Sequence, residues 1–237
     1  MPLQNRVDPF GTLFRTPARG TMMGNRGGVL HANREIVRPY KSRRWITCLL
    51  EFKGWHRVVM SDRRYTELFF LDEATAFAAG HRPCCECRRE RFNAFKEAWR
   101  RARGGGGPPF ADEMDLELHP ARIDARQKVT YQAAMGSLPD GYFIEIEGRA
   151  YLVWGDTLLL WTPQGYAGRQ TRPMDLTVRV LTPEPIVDCM RHGYRPQIHE
   201  SARAYEFRAA SSEMSAEGKP QPLDALRPDA ITLSTHG

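Results

Sequence analysis

The residues best suited to chemistry stand together in "GHRPCCECRRERF" (80–92), where three of the chain's five cysteines fall within four positions beside His81. Cys84 and Cys87 have the C-x-x-C spacing that lets one turn of backbone offer two thiolates to a tetrahedral ion. A helix is expected to begin here. Its N-terminal N–H groups would lower thiol pKa, and Arg82, Arg88 and Arg89 would act in the same direction. The expected chemistry is metal binding, with zinc (Zn2+) as the ion. Zinc deaminases share the Pro-Cys-x-x-Cys half of this pattern but need a His-x-Glu upstream. The positions two after His31, His56 and His81 are Asn33, Val58 and Pro83, so the general acid/base is missing. A second polar group, Asp115, Glu117, His119, Arg122 and Asp124, reads as a solvated helix rather than a catalytic motif.

Several elements must position the cysteines. "RRWITCLLEFKGWHRVVMS" has two apolar stretches flanking Lys53-Gly54, which predicts a β-hairpin over 44–52 and 55–61. "YTELFFLDEATAFAAG" predicts a strand at 67–71 and a helix at 73–79, with Asp72 as N-cap and Gly80 beyond its end. Phe92, Phe95 and Trp99 recur at i, i+3 and i+7, which predicts an amphipathic helix over 86–103. The first third reads as loop, and "ARGTMMGNRGG" is a candidate phosphate loop through Arg19 and Arg26. It lacks the Lys-Ser/Thr ending of a Walker motif.

"GGGGPPFADEMD" cannot continue a helix, so a linker is expected at 104–115. Beyond it, "YFIEIEG", "RAYLVWGD" and "TLLLWTP" predict a three-stranded meander. "LTVRVL" adds a fourth strand, and a helix closed by Gly193 follows. Trp154, Trp161 and Tyr166 are expected in its core. Residues 201–237 are polar and predict a disordered tail. The fold class expected is α+β: a metal-binding half at 1–103, then an antiparallel β-rich half at 116–200 with a closing helix.

The net charge is +6, unevenly spread. Residues 1–103 hold 21 Lys and Arg against 10 Asp and Glu, whereas residues 104–237 hold 13 against 18. A basic half of this kind is expected to meet a polyanion. No run of about 18 apolar residues exists, so no membrane span is expected. The opening residues lack a secretory pattern, and a cytoplasmic, reducing location is expected, where clustered cysteines serve metal or redox chemistry.

"LFFLDEATAFAAGHRPCCECRRERF" resembles the second half of the Ada-type metal-binding domain of bacterial DNA alkylation-repair and regulatory proteins. Phe69, Phe70, the alanines of 74–79, Gly80, Arg82, Pro83, Cys84 and Cys87 match it in order and spacing, over about residues 65–92. The resemblance implies a zinc site completed by upstream cysteine. The family's C-x-x-x-C pair is absent, and Cys48 is the one cysteine upstream. The resemblance therefore implies Cys48 as the third sulfur, with His56, Cys85, His31 or water as the fourth ligand. It also implies DNA as partner and a role in repair or regulation. Arg19, Arg26, Arg82, Arg88, Arg89, Arg100 and Arg101 are the expected phosphate contacts. A metal- or cysteine-dependent enzyme acting on DNA or nucleotides, and a zinc-stabilised protein adaptor, are the alternatives.

Overall fold

In the computed structural model, which describes residues 1–54 and 58–205, the sequence's clearest start signal operates as expected. Asp72 is extended, and its Oδ1 accepts hydrogen bonds from Thr75 N (2.8 Å) and Thr75 Oγ1 (2.7 Å). Helix α1 (Glu73–Ala78) follows, and every one of its residues is buried. Its alanines are explained by that position. Phe77 enters one apolar cluster, Ala74 and Ala78 a second, and Ala76 a third. Methyl side chains let three layers close on one helix, where longer chains would hold them apart.

Gly80 ends α1 at φ +85, and a Cβ there would lie 2.8 Å from Arg122 Cβ and 2.7 Å from Arg122 Cδ. Gly80→Ala is therefore expected to cost about 1–3 kcal/mol, from left-handed strain and overpacking together. Urea melts of the variant check this.

Helix α2 (Arg89–Ala102) buries Phe92, Phe95, Ala98 and Trp99, the predicted stripe plus one alanine. Helix α3 (Ala111–Arg122) begins inside the expected linker. Glu113 Oε2 accepts from Phe110 N at 2.7 Å and fixes its first turn. Helix α4 (Glu184–Arg191) starts on prolines, ends before Gly193, and buries Cys189. The four helices pack on an antiparallel sheet with strand order 131–134, 177–180, 143–146, 149–154, 157–162, 165–171. The predicted meander forms its centre. Tyr166 is buried in the core, as expected, and Trp154 and Trp161 pack against it. The main apolar cluster joins Phe77, Phe95 and Trp99 to Ile144, Val153, Val180 and Ile186, so both halves share one core.

The second six-stranded sheet corrects two expectations. The opening third is mostly loop, as expected, but it hides strands: Met22–Arg26 lies at the heart of this sheet, with Arg6–Val7 and Leu13–Phe14 further out. Its glycine serves packing, since a Cβ on Gly24 would lie 2.4 Å from Ile46 O and 2.7 Å from the Phe70 ring. The expected hairpin is also replaced. Trp45–Cys48 runs antiparallel to Met22–Arg26 and parallel to Arg82–Pro83. Residues 58–61 form no strand, and 55–57 lie outside the described residues. The fold class is α+β. No helix among the described residues is long and apolar enough to cross a membrane. From residue 206 the expected tail also lies outside the described residues.

Candidate metal centre

Parallel pairing brings the distant cysteines together. Ile46 pairs with Arg82 and Thr47 with Pro83, and Cys84 N donates to Thr47 O at 2.9 Å. Cys48 then ends one strand beside the turn that follows the other. The sulfurs of Cys48, Cys84 and Cys87 all lie within 4.8 Å of one another. A tetrahedral zinc with Zn–S of ~2.3 Å separates its sulfurs by about 3.8 Å, so a small closure suffices.

The backbone also favours sulfur as anion. Glu86 N donates to Cys84 Sγ at 3.4 Å, and Leu49 N–H points at Cys87. Cys84 is held far below the ordinary thiol range, first by the hydrogen bond from Cys48, then by that from Cys87. Cys48 is pushed up by the same contacts, Cys84 first, and by burial. Cys87 is drawn down by Cys48 but raised overall by Cys84 and burial. Without a cation the hydrogen bonds among the three favour the thiolate at Cys84 over the other two. A dication removes that preference, because thiolate is the form that ligates.

Cys84 is buried, Cys48 and Cys87 are half-buried, and Cys85 is exposed and outside the cluster. His31 is also outside it, with Nδ1 on Thr66 Oγ1 at 2.7 Å. His56 lies outside the described residues. The three cysteines named from the sequence are thus the three that converge.

The turn is tied into the core by its arginines, which corrects part of the expected phosphate surface. Arg88 NH2 is 2.9 Å from Glu73 Oε1 and 2.6 Å from Gln197 Oε1, with both ionic side chains buried. Arg82 makes a bidentate pair with Asp115, at 3.0 and 2.7 Å, equally buried. Arg26 is 2% exposed and lies over Trp45. Arg82 and Arg88 are inside because each has a carboxylate partner there, a distinction that arginine spacing does not carry. Arg19 and Arg89 are exposed. Arg100 and Arg101 lie on the outer face of α2 and share Glu97, at 2.8 and 3.0 Å. Their hydrogen bonds, Arg100's first, hold that carboxyl at about 2.

The polar group at 115–124 is solvated only in part, with Glu117 and Asp124 exposed. Asp115 and Arg122 are buried, and Glu117 pairs with Arg103. His119 packs edge-on to Tyr40 at 5.2 Å.

No model of a known family, no curated protein and no solved structure matches this chain. The likeness at residues 65–92 therefore rests on those residues alone.

Proposed function

We propose that the protein is a zinc-stabilised nucleic-acid-binding protein. Its ligand is DNA, and repair or regulation is the setting implied by the likeness at residues 65–92. The observation that carries the reading is the convergence of Cys48, Cys84 and Cys87, two elements and 36 residues apart, on one point. An ion there pins the strand Trp45–Cys48. The connections entering and leaving that strand carry the exposed cations Arg34, Arg38, Lys41 and Arg43, then Arg63 and Arg64. None of these six forms an ion pair with a described carboxylate. Unpaired guanidinium groups on a fixed frame suit phosphate contact, which positions a strand without reading its sequence. The open groove of about 480 Å³ beside them is less suited, because Asp112 and Glu113 face Arg43 and Arg44 across it.

Fluorescence anisotropy of a labelled DNA duplex across 50–200 mM salt tests the proposal. Affinity is expected to fall as a power of salt with slope about −0.9 per phosphate contacted. Arg63→Gln with Arg64→Gln should make the slope shallower by roughly two, at similar cost for all sequences. Binding indifferent to salt and to these substitutions would overturn it, as would metal-free native protein binding equally well.

A further inference from the structure

The buried arginines fall into two groups. Arg82 and Arg88 each meet a carboxylate within 3 Å. Arg26, Arg122 and the half-buried Lys128 meet none within ion-pair distance among the described residues. The fields of all three reach His81, and two of them lie against one indole. The guanidinium carbons of Arg26 and Arg122 each lie 4.3 Å from the Trp45 ring centre. Lys128 Nζ rests on Ala78 O, in the helix that Gly80 terminates. Arg122 NH1 donates to Gly80 O at 2.8 Å and NH2 donates to Arg43 O. Its Nε is buried and has no acceptor, although the residue is only 2% exposed.

His81 adds no charge. Arg26 Nε donates to His81 Nε2 at 3.4 Å, and the other ring nitrogen is 3.2 Å from Ala76 O. With Nε2 accepting and Nδ1 donating, the ring is neutral. Asp8 is the carboxylate whose field reaches Arg26 and Lys128, and it bonds neither. Burial lowers Arg26 and Arg122 to about 9 and Lys128 to about 7, and each cation is depressed further by a neighbour or only partly relieved by Asp8 or Asp115. Desolvated cations without a counter-charge are costly, and a protein keeps them where an anion completes them.

We propose that Arg26, Arg122 and Lys128 form a binding site for a phosphoryl dianion, the terminal phosphate of a nucleotide or of a nucleic-acid strand. The carboxylates whose fields reach these cations are Asp8, which bonds neither Arg26 nor Lys128, and Asp115, which is already paired with Arg82, so an anion rich in charge, such as a phosphate monoester, is the partner that fits. The Arg122 Nε–H supplies an unused donor, and guanidinium groups suit oxyanion geometry. Lys128 is partly exposed, as are Tyr40 and His119, which lie against Trp45. The site uses no cysteine, so it stands or falls apart from the metal.

Isothermal titration of the full chain with inorganic phosphate, adenosine monophosphate, and an oligonucleotide with or without a 5′-phosphate tests this. Inorganic phosphate should bind, and Lys128→Gln should weaken it about tenfold, the usual scale for one charged contact. A tighter 5′-phosphorylated oligonucleotide identifies a strand end as the source; displacement by the mononucleotide alone identifies a free nucleotide. Circular dichroism should show Lys128→Gln folded, with a melting temperature no lower than the parent's, because a desolvated charge has been removed. The proposal is overturned if 10 mM phosphate gives no heat, or if Lys128→Gln and Arg122→Gln, both folded, bind phosphate as the parent does.

Discussion

Cys84→Ser with Cys87→Ser is expected to strip zinc from the purified protein and to lower its unfolding free energy by about 3–5 kcal/mol. The figure lies below the ~10–16 kcal/mol of isolated zinc-finger peptides because three apolar clusters hold the rest of the chain without the ion. The loss should be local first. Cys84 N donates to Thr47 O, so freeing the turn unpairs Arg82–Pro83 from Trp45–Cys48. Elemental analysis, urea melts and hydrogen exchange at Thr47 and Cys84 read the three effects. Acid should reproduce the loss, because protons and zinc compete for the same thiolates: affinity falls as pH falls. A parent protein free of stoichiometric metal, as stable as the double variant, would remove the zinc from this account.

The second large effect falls on Glu73. This carboxylate is fully buried at the start of α1 and is the hub of four partners. Arg88 and Arg91 lie at 2.9 and 2.7 Å, while Tyr194 OH and Gln197 N donate at 2.7 and 2.8 Å. Glu73→Gln leaves the buried Arg88 without its counter-charge, beside Nε and NH1 atoms that already have no acceptor. Breaking a buried pair on one side costs about 3–5 kcal/mol, mostly the desolvation of the charge left behind. Glu97→Gln removes as many arginine contacts from an exposed site and should cost no more than about 1 kcal/mol. The comparison, by urea melts at pH 7, isolates burial as the cause. Since Arg88 follows Cys87 directly, Glu73→Gln should also speed zinc release to a chelator. Equal costs for the two substitutions would refute the hub.

Local signals were legible wherever a local interaction decides the outcome. Asp72 caps α1 with its own carboxylate, Phe92, Phe95 and Trp99 mark α2 by period, and glycine turns mark the meander. The Cys84–Cys87 turn belongs with them. Partners chosen over long separations were not legible. Trp45–Cys48 takes Met22–Arg26 and Arg82–Pro83 as neighbours, whereas Lys53-Gly54 points to a local hairpin partner instead. Met22–Arg26 itself was hidden by its glycine, which reads as loop until Ile46 O and the Phe70 ring are seen against it. Arginine was the least legible residue. Arg88 and Arg89 are adjacent, yet one is buried against Glu73 and the other faces water. The difference is set by where Glu73 sits, on another helix.

The glycine and proline stretch at 104–109 invites division of the chain, but the aromatic stripe of α2 forbids it. A piece ending at Arg103 would keep Phe77 against Phe95 but would strip Phe92, Phe95 and Trp99 of their neighbours on the sheet and on the two later helices. Cutting at that point would divide one apolar cluster between two pieces, so neither is expected to fold as an independent module.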